Sequence, residues 1–515
     1  MKLKILFLSA FNITIEIENN TPFYTKETYE VFLNGEVLIA GGNKNVFSLA
    51  ELKPNKNYHL LLKTDNQEAE LSFQTPEVKY LLSVKAFKAK GDGITDDTLS
   101  IQAAIAACPK DGIIYVPEGK YLVKSLFLKS NLKIYLSKDA KLIGSINRDD
   151  YAILPGVIKS RDDELVLGSW EGNPLDIYTS LITGINVENV MIFGEGEIDC
   201  SGNLGPWWLE PKKKFGAYRP RGIFLNACKR VLVQGISLRN SPSWSIHPFY
   251  SDDLSFYDLK ILNPEDAANT DGLNPESCRN VEIIGVHFSV GDDCIAIKSG
   301  KIYMAKKHYR PTSNLVIRNC LMEKGHGAVV FGSEISGGAE NVTVSKCAFI
   351  ETDRGLRIKT RRGRGNKAIN NVKFDNIYMR GVKNAFVINM FYFCDPDGKT
   401  EYVYSKKPLP VDERTPALGS FHFRNIVAEE TKISAGFFYG LPESAIAEVV
   451  LEDIKMSFSE EAESGKPAMM SFIEDYSKLG FYFNNVQKVR VKNVTITGQN
   501  GEKFCFENVT EIIKE

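Results

Sequence analysis

One short unit recurs through most of this 515-residue chain: a polar residue, a valine or leucine, and an alternating apolar run that ends near an asparagine. It appears as Asn189-Val190, Arg230-Val231, Asp253-Leu254, Asn280-Val281, Asn314-Leu315, Asn341-Val342 and Asn371-Val372, and in variant form near Phe421, Val449 and Val489. Successive copies are 41, 23, 27, 34, 27 and 30 residues apart. Short alternating runs punctuated by Gly and Asn, without helical periodicity and repeating at this period, fit the coils of a right-handed parallel β-helix. The expected fold class is therefore all-β. Alternate side chains of a strand share a face, so Val190/Ile192, Val281/Ile283, Leu315/Ile317, Val342/Val344 and Val372/Phe374 should point inward as aliphatic ladders. Residues at one coil position on neighbouring turns then lie about 4.8 Å apart.

Four segments acquire meaning from that stacking: Asn269-Thr270-Asp271-Gly272, Gly291-Asp292-Asp293, Gly325-His326-Gly327 and Arg357-Ile358-Lys359. Each alone has an ordinary reading. Asp271-Gly272 is a turn pair, His326 between glycines a turn histidine, and Arg357 with Lys359 a solvated strand face. Asp292-Asp293 resists such a reading. It opens the apolar run Cys294-Ile295-Ala296-Ile297-Lys298, where two adjacent acids would repel unless paired, protonated or used. Placed one to two coils apart, the four segments would align along one outer face. They would bring three carboxylates, an imidazole and two cations to a groove parallel to the helix axis. That set suits hydrolysis of a glycosidic bond in an acidic polysaccharide, which needs an acid for the leaving oxygen, a base for water and cations for the substrate's carboxylate.

A net charge of −1 gives no overall basic field to recruit nucleic acid. The positive charge is local, in Arg357, Lys359, Arg361, Arg362 and Arg364, a cluster that suits a polyanionic substrate. Nine cysteines without CxxC spacing read as buried thiols, neither a disulfide framework nor a zinc site. No segment approaches the roughly 20 apolar residues of a membrane span, so no membrane partner is expected. The N-terminus, Met1 to Phe11, superficially resembles a signal peptide, yet its short apolar run continues into the alternating Asn12 to Ile17 and reads as a first β-strand. The expected location is cytoplasmic, with secretion the alternative. Oligomeric state is encoded in none of these features.

Residues 1–78 differ in texture from the rest. Their alternating strands and the segment Leu52-Lys53-Pro54-Asn55-Lys56-Asn57-Tyr58 resemble a fibronectin type III sandwich with its tyrosine corner, an accessory domain ahead of a β-helix over 79–515. The second unit opens at Val84 to Thr98. Thr95 or Asp96 is placed to cap a helix from Leu99 to Ala107 that would close the open end of the coils. Asp92, Asp96 and Asp97 do not continue into the ligand spacing of a calcium loop.

The opening segment and the four motifs, in order, resemble those of the polygalacturonase family of glycoside hydrolases across about residues 80 to 510. The layout with an N-terminal fibronectin-like domain is similar to that of bacterial exo-acting members. Gly291 stands where many fungal members carry Gln. The resemblance implies that Asp292 is the general acid, that Asp271 and Asp293 activate the attacking water with inversion, and that His326 tunes the cluster's proton. It further implies that Arg357 and Lys359 bind a galacturonate carboxylate, with no cofactor and no metal. Around the motifs, Asn269, Arg219, Arg221, Trp208 and His247 are candidate substrate contacts, rings for stacking and cations for a terminal uronate. Long excursions at about 148–180, 203–221, 300–312 and 391–418 are placed to wall one end of the groove and favour exo action on oligogalacturonides from pectin. The alternatives are endo-polygalacturonase, rhamnogalacturonan or xylogalacturonan hydrolysis, a pectate or pectin lyase on the same fold, and a non-catalytic β-helix binding protein.

Overall fold

A computed structural model of the chain describes residues 1–161, 163–461 and 463–515. The alternating run from residue 2 to 74 forms seven strands: β1 (Lys2–Leu8), β2 (Ile13–Glu18), β3 (Tyr24–Leu33), β4 (Glu36–Lys44), β5 (Val46–Leu49), β6 (Asn57–Lys63) and β7 (Glu68–Gln74). They make two antiparallel sheets, β1-β2-β5 and β4-β3-β6-β7, which fit a β-sandwich. Ile13, Ile15, Val31, Leu60 and Leu62 alternate into the core between them. Tyr58 closes the corner as its local sequence suggested: its Oη accepts a hydrogen bond from the Lys53 N–H at 2.8 Å.

From Tyr80 onward the chain winds as a parallel β-helix with three strands per coil in its central turns. One coil runs Arg279–Ile284, His287–Ser289, Asp293–Ile297, the next Thr312–Arg318, Leu321–Glu323, Gly327–Gly332, and the next Ala339–Ser345, Ala348–Ile350, Arg354–Lys359. The predicted inward residues form continuous buried ladders: Ile192 pairs in register with Val233, then Phe256, Ile283, Ile317, Val344 and Phe374.

The polar residue of each repeat has a backbone reason. Asn189, Arg230, Asp253, Asn280, Asn314, Asn341 and Asn371 all take left-handed φ between 53° and 58° as the chain turns into the first strand of a coil. Asn and Asp tolerate that conformation better than other side chains. The amides also bond to one another along the axis, Asn314 to Asn280 at 3.1 Å, Asn341 to Asn314 at 3.2 Å and Asn371 to Asn341 at 2.7 Å. The repeat was therefore legible because one residue type serves both the turn and the stack.

Helix α1 (Thr98–Ala107) buries Ile101, Ala104 and Ile105 against the first coils. Its N-cap residue is Asp97, not Thr95 or Asp96. The Asp97 carboxylate instead accepts the Lys90 and Gly91 N–H groups, while Asp96 accepts from the Thr98 N–H. These acids are committed to turns.

The sandwich packs on the outer faces of the first and second strand rows. Phe7, Phe11 and Val46 meet Tyr135, Phe193, Tyr257 and Ile284. A buried ion pair fixes the join: Arg318 donates to both carboxylate oxygens of Glu16 at 2.7 and 2.8 Å, and Asn319 adds a third bond at 2.8 Å. Burial pushes the Glu16 carboxyl up, but the Arg318 guanidinium more than offsets it and holds the group below its ordinary value of 4.5. Glu16→Gln should lower unfolding stability by about 3 kcal/mol by leaving Arg318 buried and unpaired. A depressed carboxyl stabilises above its unfolded value and loses that contribution as pH falls through its folded value. The gap between wild type and variant in chemical denaturation should therefore shrink on acidification, and kcat should not change at neutral pH.

Candidate active site

The four motifs converge where each coil enters its third strand row. Asp271 lies two residues before Leu273, which bridges in parallel to Ile295, and Asp293 pairs in register with Gly327. Backbone geometry requires the motif glycines. A Cβ at Gly291 would meet the Ala267 carbonyl oxygen at 2.4 Å, so any larger residue there would have to displace backbone. Gly325 has φ +89° and a Cβ there would meet the Asp292 carbonyl oxygen at 2.6 Å. That close approach lets the His326 N–H donate to the Asp292 carbonyl at 2.9 Å and brings the imidazole over the acid pair.

The floor of the resulting cleft, about 960 Å³ in volume, contains Asp271, Asp292, Asp293, His326, Arg357, Lys359 and Asn269. Asp271 accepts from Asn274 Nδ2 at 2.9 Å and faces Lys298 Nζ at 3.9 Å. Asp292 is 3.2 Å from His326 Nδ1 and 3.5 Å from Asn269 Nδ2. Lys359 Nζ donates to Asp293 Oδ2 at 2.5 Å, with Arg357 Nη1 3.5 Å from the other oxygen.

These contacts divide the acids. Burial, reinforced by the charge of Asp292, raises the pKa of the Asp271 carboxyl far above the usual range. Burial also acts on Asp292, but the hydrogen bond and charge of His326, with Lys359 and Arg357 behind, hold it low. The hydrogen bond to Asp292 raises His326 in turn. Asp271 therefore holds a proton more tightly than Asp292, and His326 and Asp292 compete for one across their 3.2 Å contact.

Other predicted contacts are placed elsewhere. Arg221 is fully buried, sandwiched between the Trp170 and Trp244 rings at 4.8 and 4.7 Å, and donates to the Arg219 and Ser169 carbonyls. Arg219 donates to the Pro242 and Ala268 carbonyls and, at 2.6 Å, to Asn269 Oδ1, so it acts on the cleft only through Asn269. His247 is buried against Glu276 at 2.9 Å, and Trp208 donates to the Ser241 carbonyl beside the Trp207 cluster. None of these four lines the cleft. The cation cluster beyond Lys359 is also committed: Arg361 pairs with Asp397 and Arg364 with Asp395, while Arg362 pairs with Glu443 and donates to the Tyr402, Ser405 and Lys407 carbonyls, which ties the 391–418 excursion to the coil. Residues of the excursions line the cleft, among them Trp170, Glu171, Tyr218, Tyr392, Phe393 and Asp395. The 300–312 excursion contributes no wall. Its helix braces another excursion, as Tyr303, Lys307 and His308 all contact Glu164.

Sequence reasoning missed Lys298 and Glu334, whose side chains bond at 2.7 Å in the cleft. A signal existed for Lys298, a lysine closing a fully apolar run five residues after Asp293. None existed for Glu334, since only the coil register brings it there. If His326 holds its proton through Asp292, its imidazole should titrate above 6.5 by proton NMR, and Asp292→Asn should return it to or below that value; an unchanged His326 titration in the variant contradicts the pairing.

Comparison with known proteins agrees with this geometry. The family model described as "Glycosyl hydrolases family 28" matches residues 113–405. A probable polygalacturonase of Vitis vinifera is 32% identical over 391 residues, 74% of this chain and 75% of that protein. The exopolygalacturonase structure from Thermotoga maritima superposes with a TM-score of 0.63 at 26% identity, over 81% of this chain and 93% of the other. The Yersinia enterocolitica family 28 exopolygalacturonase structure shares the fold over 98% of both chains, with a TM-score of 0.69 at 19% identity. With its four motifs gathered in one cleft and the family model covering more than half its length, the chain belongs to glycoside hydrolase family 28.

Proposed function

We propose that this enzyme hydrolyses the α-1,4-galacturonosidic bonds of oligogalacturonides by single displacement with inversion, removing residues from a chain end. The observation that carries the reading is the convergence of Asp271, Asp292 and Asp293 from consecutive coils beside an imidazole and two cations. Asp292 donates its proton to the glycosidic oxygen as the bond to C1 breaks. The proton shared with His326 is available for that transfer, because the 3.2 Å contact lets it pass to the carboxylate when the leaving oxygen arrives. Water on the opposite face of C1 gives up a proton to Asp271 or Asp293, and its oxygen forms the new bond. Asp271 must be ionised for that step.

Arg357 is the cation placed to read the substrate's carboxylate. Its guanidinium lines the cleft, with Nη2 3.0 Å from Met469 Sδ and Nη1 3.5 Å from Asp293. A guanidinium gains a charge-assisted bond of about 1.5 to 3 kcal/mol from a uronate and nothing comparable from its methyl ester. Lys359, bonded to Asp293, supports the base, so it cannot serve only as a carboxylate reader. The Vitis vinifera relative is named a probable polygalacturonase and the Thermotoga maritima neighbour an exopolygalacturonase, which supports both the substrate and the exo mode. The walls from the 148–180, 203–221 and 391–418 excursions support the same mode, since they narrow a groove that an endo enzyme would leave open. A cytoplasmic location would limit the substrate to imported short chains.

Asp292→Asn should lower kcat by about 10²- to 10⁴-fold with KM largely retained, because the amide keeps the shape without the proton. A variant that keeps more than about a tenth of kcat removes Asp292 from the acid role. Proton NMR of the first product should show the β-anomer; an initial α-anomer contradicts single displacement. Lys359→Met should depress kcat on free and methyl-esterified oligomers alike, whereas Arg357→Met should raise KM chiefly on the free acid. Steady-state kinetics on matched oligomers separates the two.

A further inference from the structure

We propose that Lys298 and Glu334 form a positioning pair that sets the charge of Asp271, with Lys298 the counter-ion shared between the two carboxylates. The inference rests on the base role given to Asp271 above. Lys298 follows Ile297 at the end of its strand, and Ile297 pairs in register with Phe331, so the lysine emerges beside Gly332. Gly332 pairs in turn with Lys359. Two ammonium groups thus stand in one outward column of the third strand row, separated by a residue without a side chain. Lys359 is bonded to Asp293. Lys298 is bonded to Glu334 at 2.7 Å and stops 3.9 Å from Asp271, beyond hydrogen-bond reach.

The surroundings leave Lys298 few partners. An ammonium carries three donors, and among the described residues only Glu334 accepts a hydrogen bond from this one. The Trp244 ring lies 4.5 Å from Nζ and shields the charge from water. Glu334 is anchored in its turn, as its other oxygen accepts from Ser333 Oγ at 2.9 Å. Lysine's flexible stem allows Nζ to lean from Glu334 toward Asp271 as the latter ionises, a movement of about 1 Å to reach bonding distance. Asp271 would otherwise carry its charge in a buried site beside two other carboxylates.

Charged groups from several packed elements face the pair. Asp271 faces Asp292, Asp293, Lys298 and Lys359, with Arg219 and Arg221 behind it. Lys298 faces Glu334, Asp271 and Asp293. Glu334 is also approached by Lys301 and Arg364, while Glu171 and Glu276 repel it. Burial pushes Glu334 up, yet Lys298 and Lys301 hold it well below the carboxylate range, so it stays charged and competes with Asp271 for the ammonium.

The test is the pH profile of kcat/KM for Lys298→Met and Glu334→Gln, each first checked by thermal unfolding. The acidic limb reports protonation of the carboxylate cluster as a whole. Removing the lysine makes ionised Asp271 less favourable, so the limb should move up by about one pH unit or more, with kcat falling more than KM changes. Removing the Glu334 charge frees Lys298 for Asp271, so the limb should move down. Lys298→Arg should keep the limb near its wild-type place. Limbs that stay put, or that move in the same direction in Met and Gln variants, overturn the inference; if Lys298→Met does not fold, the direction in Glu334→Gln decides alone. A wild-type enzyme that does not invert would instead overturn the base role itself, which separates the two failures.

Discussion

Parallel in-register stacking of the coils is the constraint on which everything else depends. Each turn must place its first strand directly over the last, and the left-handed asparagine at its start, bonded to the asparagine of the neighbouring turn, helps to fix that register. Because a slip of one residue would turn every inward side chain outward, the ladder from Ile192 to Phe374 enforces the same register from inside. The active site is a consequence. Asp271, Asp293, His326 and Lys359 are separated by up to 88 residues in the sequence and share one cleft floor because their coils are adjacent.

A cleft built this way concentrates charge under low-dielectric walls, and the structure answers each buried charge with a partner. Lys359 meets Asp293, Lys298 meets Glu334, and His326 meets Asp292. Asp271 is the carboxylate whose cation stands just out of reach. That asymmetry holds the proton affinities of Asp271 and Asp292 apart, and the base role proposed for Asp271 requires its proton to leave before water is activated. The outer arginines show the contrasting use of charge: Arg361, Arg362 and Arg364 are buried against carboxylates, and none of them lines the cleft.

What was legible in the sequence follows the same physics. The coil ladders and the motif residues could be read because a short period makes position in sequence equivalent to position in space. Tyr58 could be read because its corner is closed by a bond five residues away. Arg221 and Trp208 could not, because they lie in and at the end of the 203–221 excursion, and His247 could not, because its strand pairs in register with Phe224 and buries the ring against Glu276. Their neighbours Tyr218 and Trp244 do line the cleft, so the segments pointed the right way and the individual side chains did not. Glu334 was invisible for a related reason: its partner Lys298 is a full coil away, and no local pattern marks the pair.

The account's central claim is that this carboxylate cluster hydrolyses a uronate chain from one end. Incubation with homogalacturonan and with saturated oligogalacturonides of defined length, read together for product size and for unsaturation, tests it most directly. The prediction is short, saturated products released from the outset, with the remaining polymer shortening slowly. A ladder of intermediate sizes at early times would contradict the exo mode. Unsaturated products, detected by their ultraviolet absorbance, would contradict hydrolysis itself.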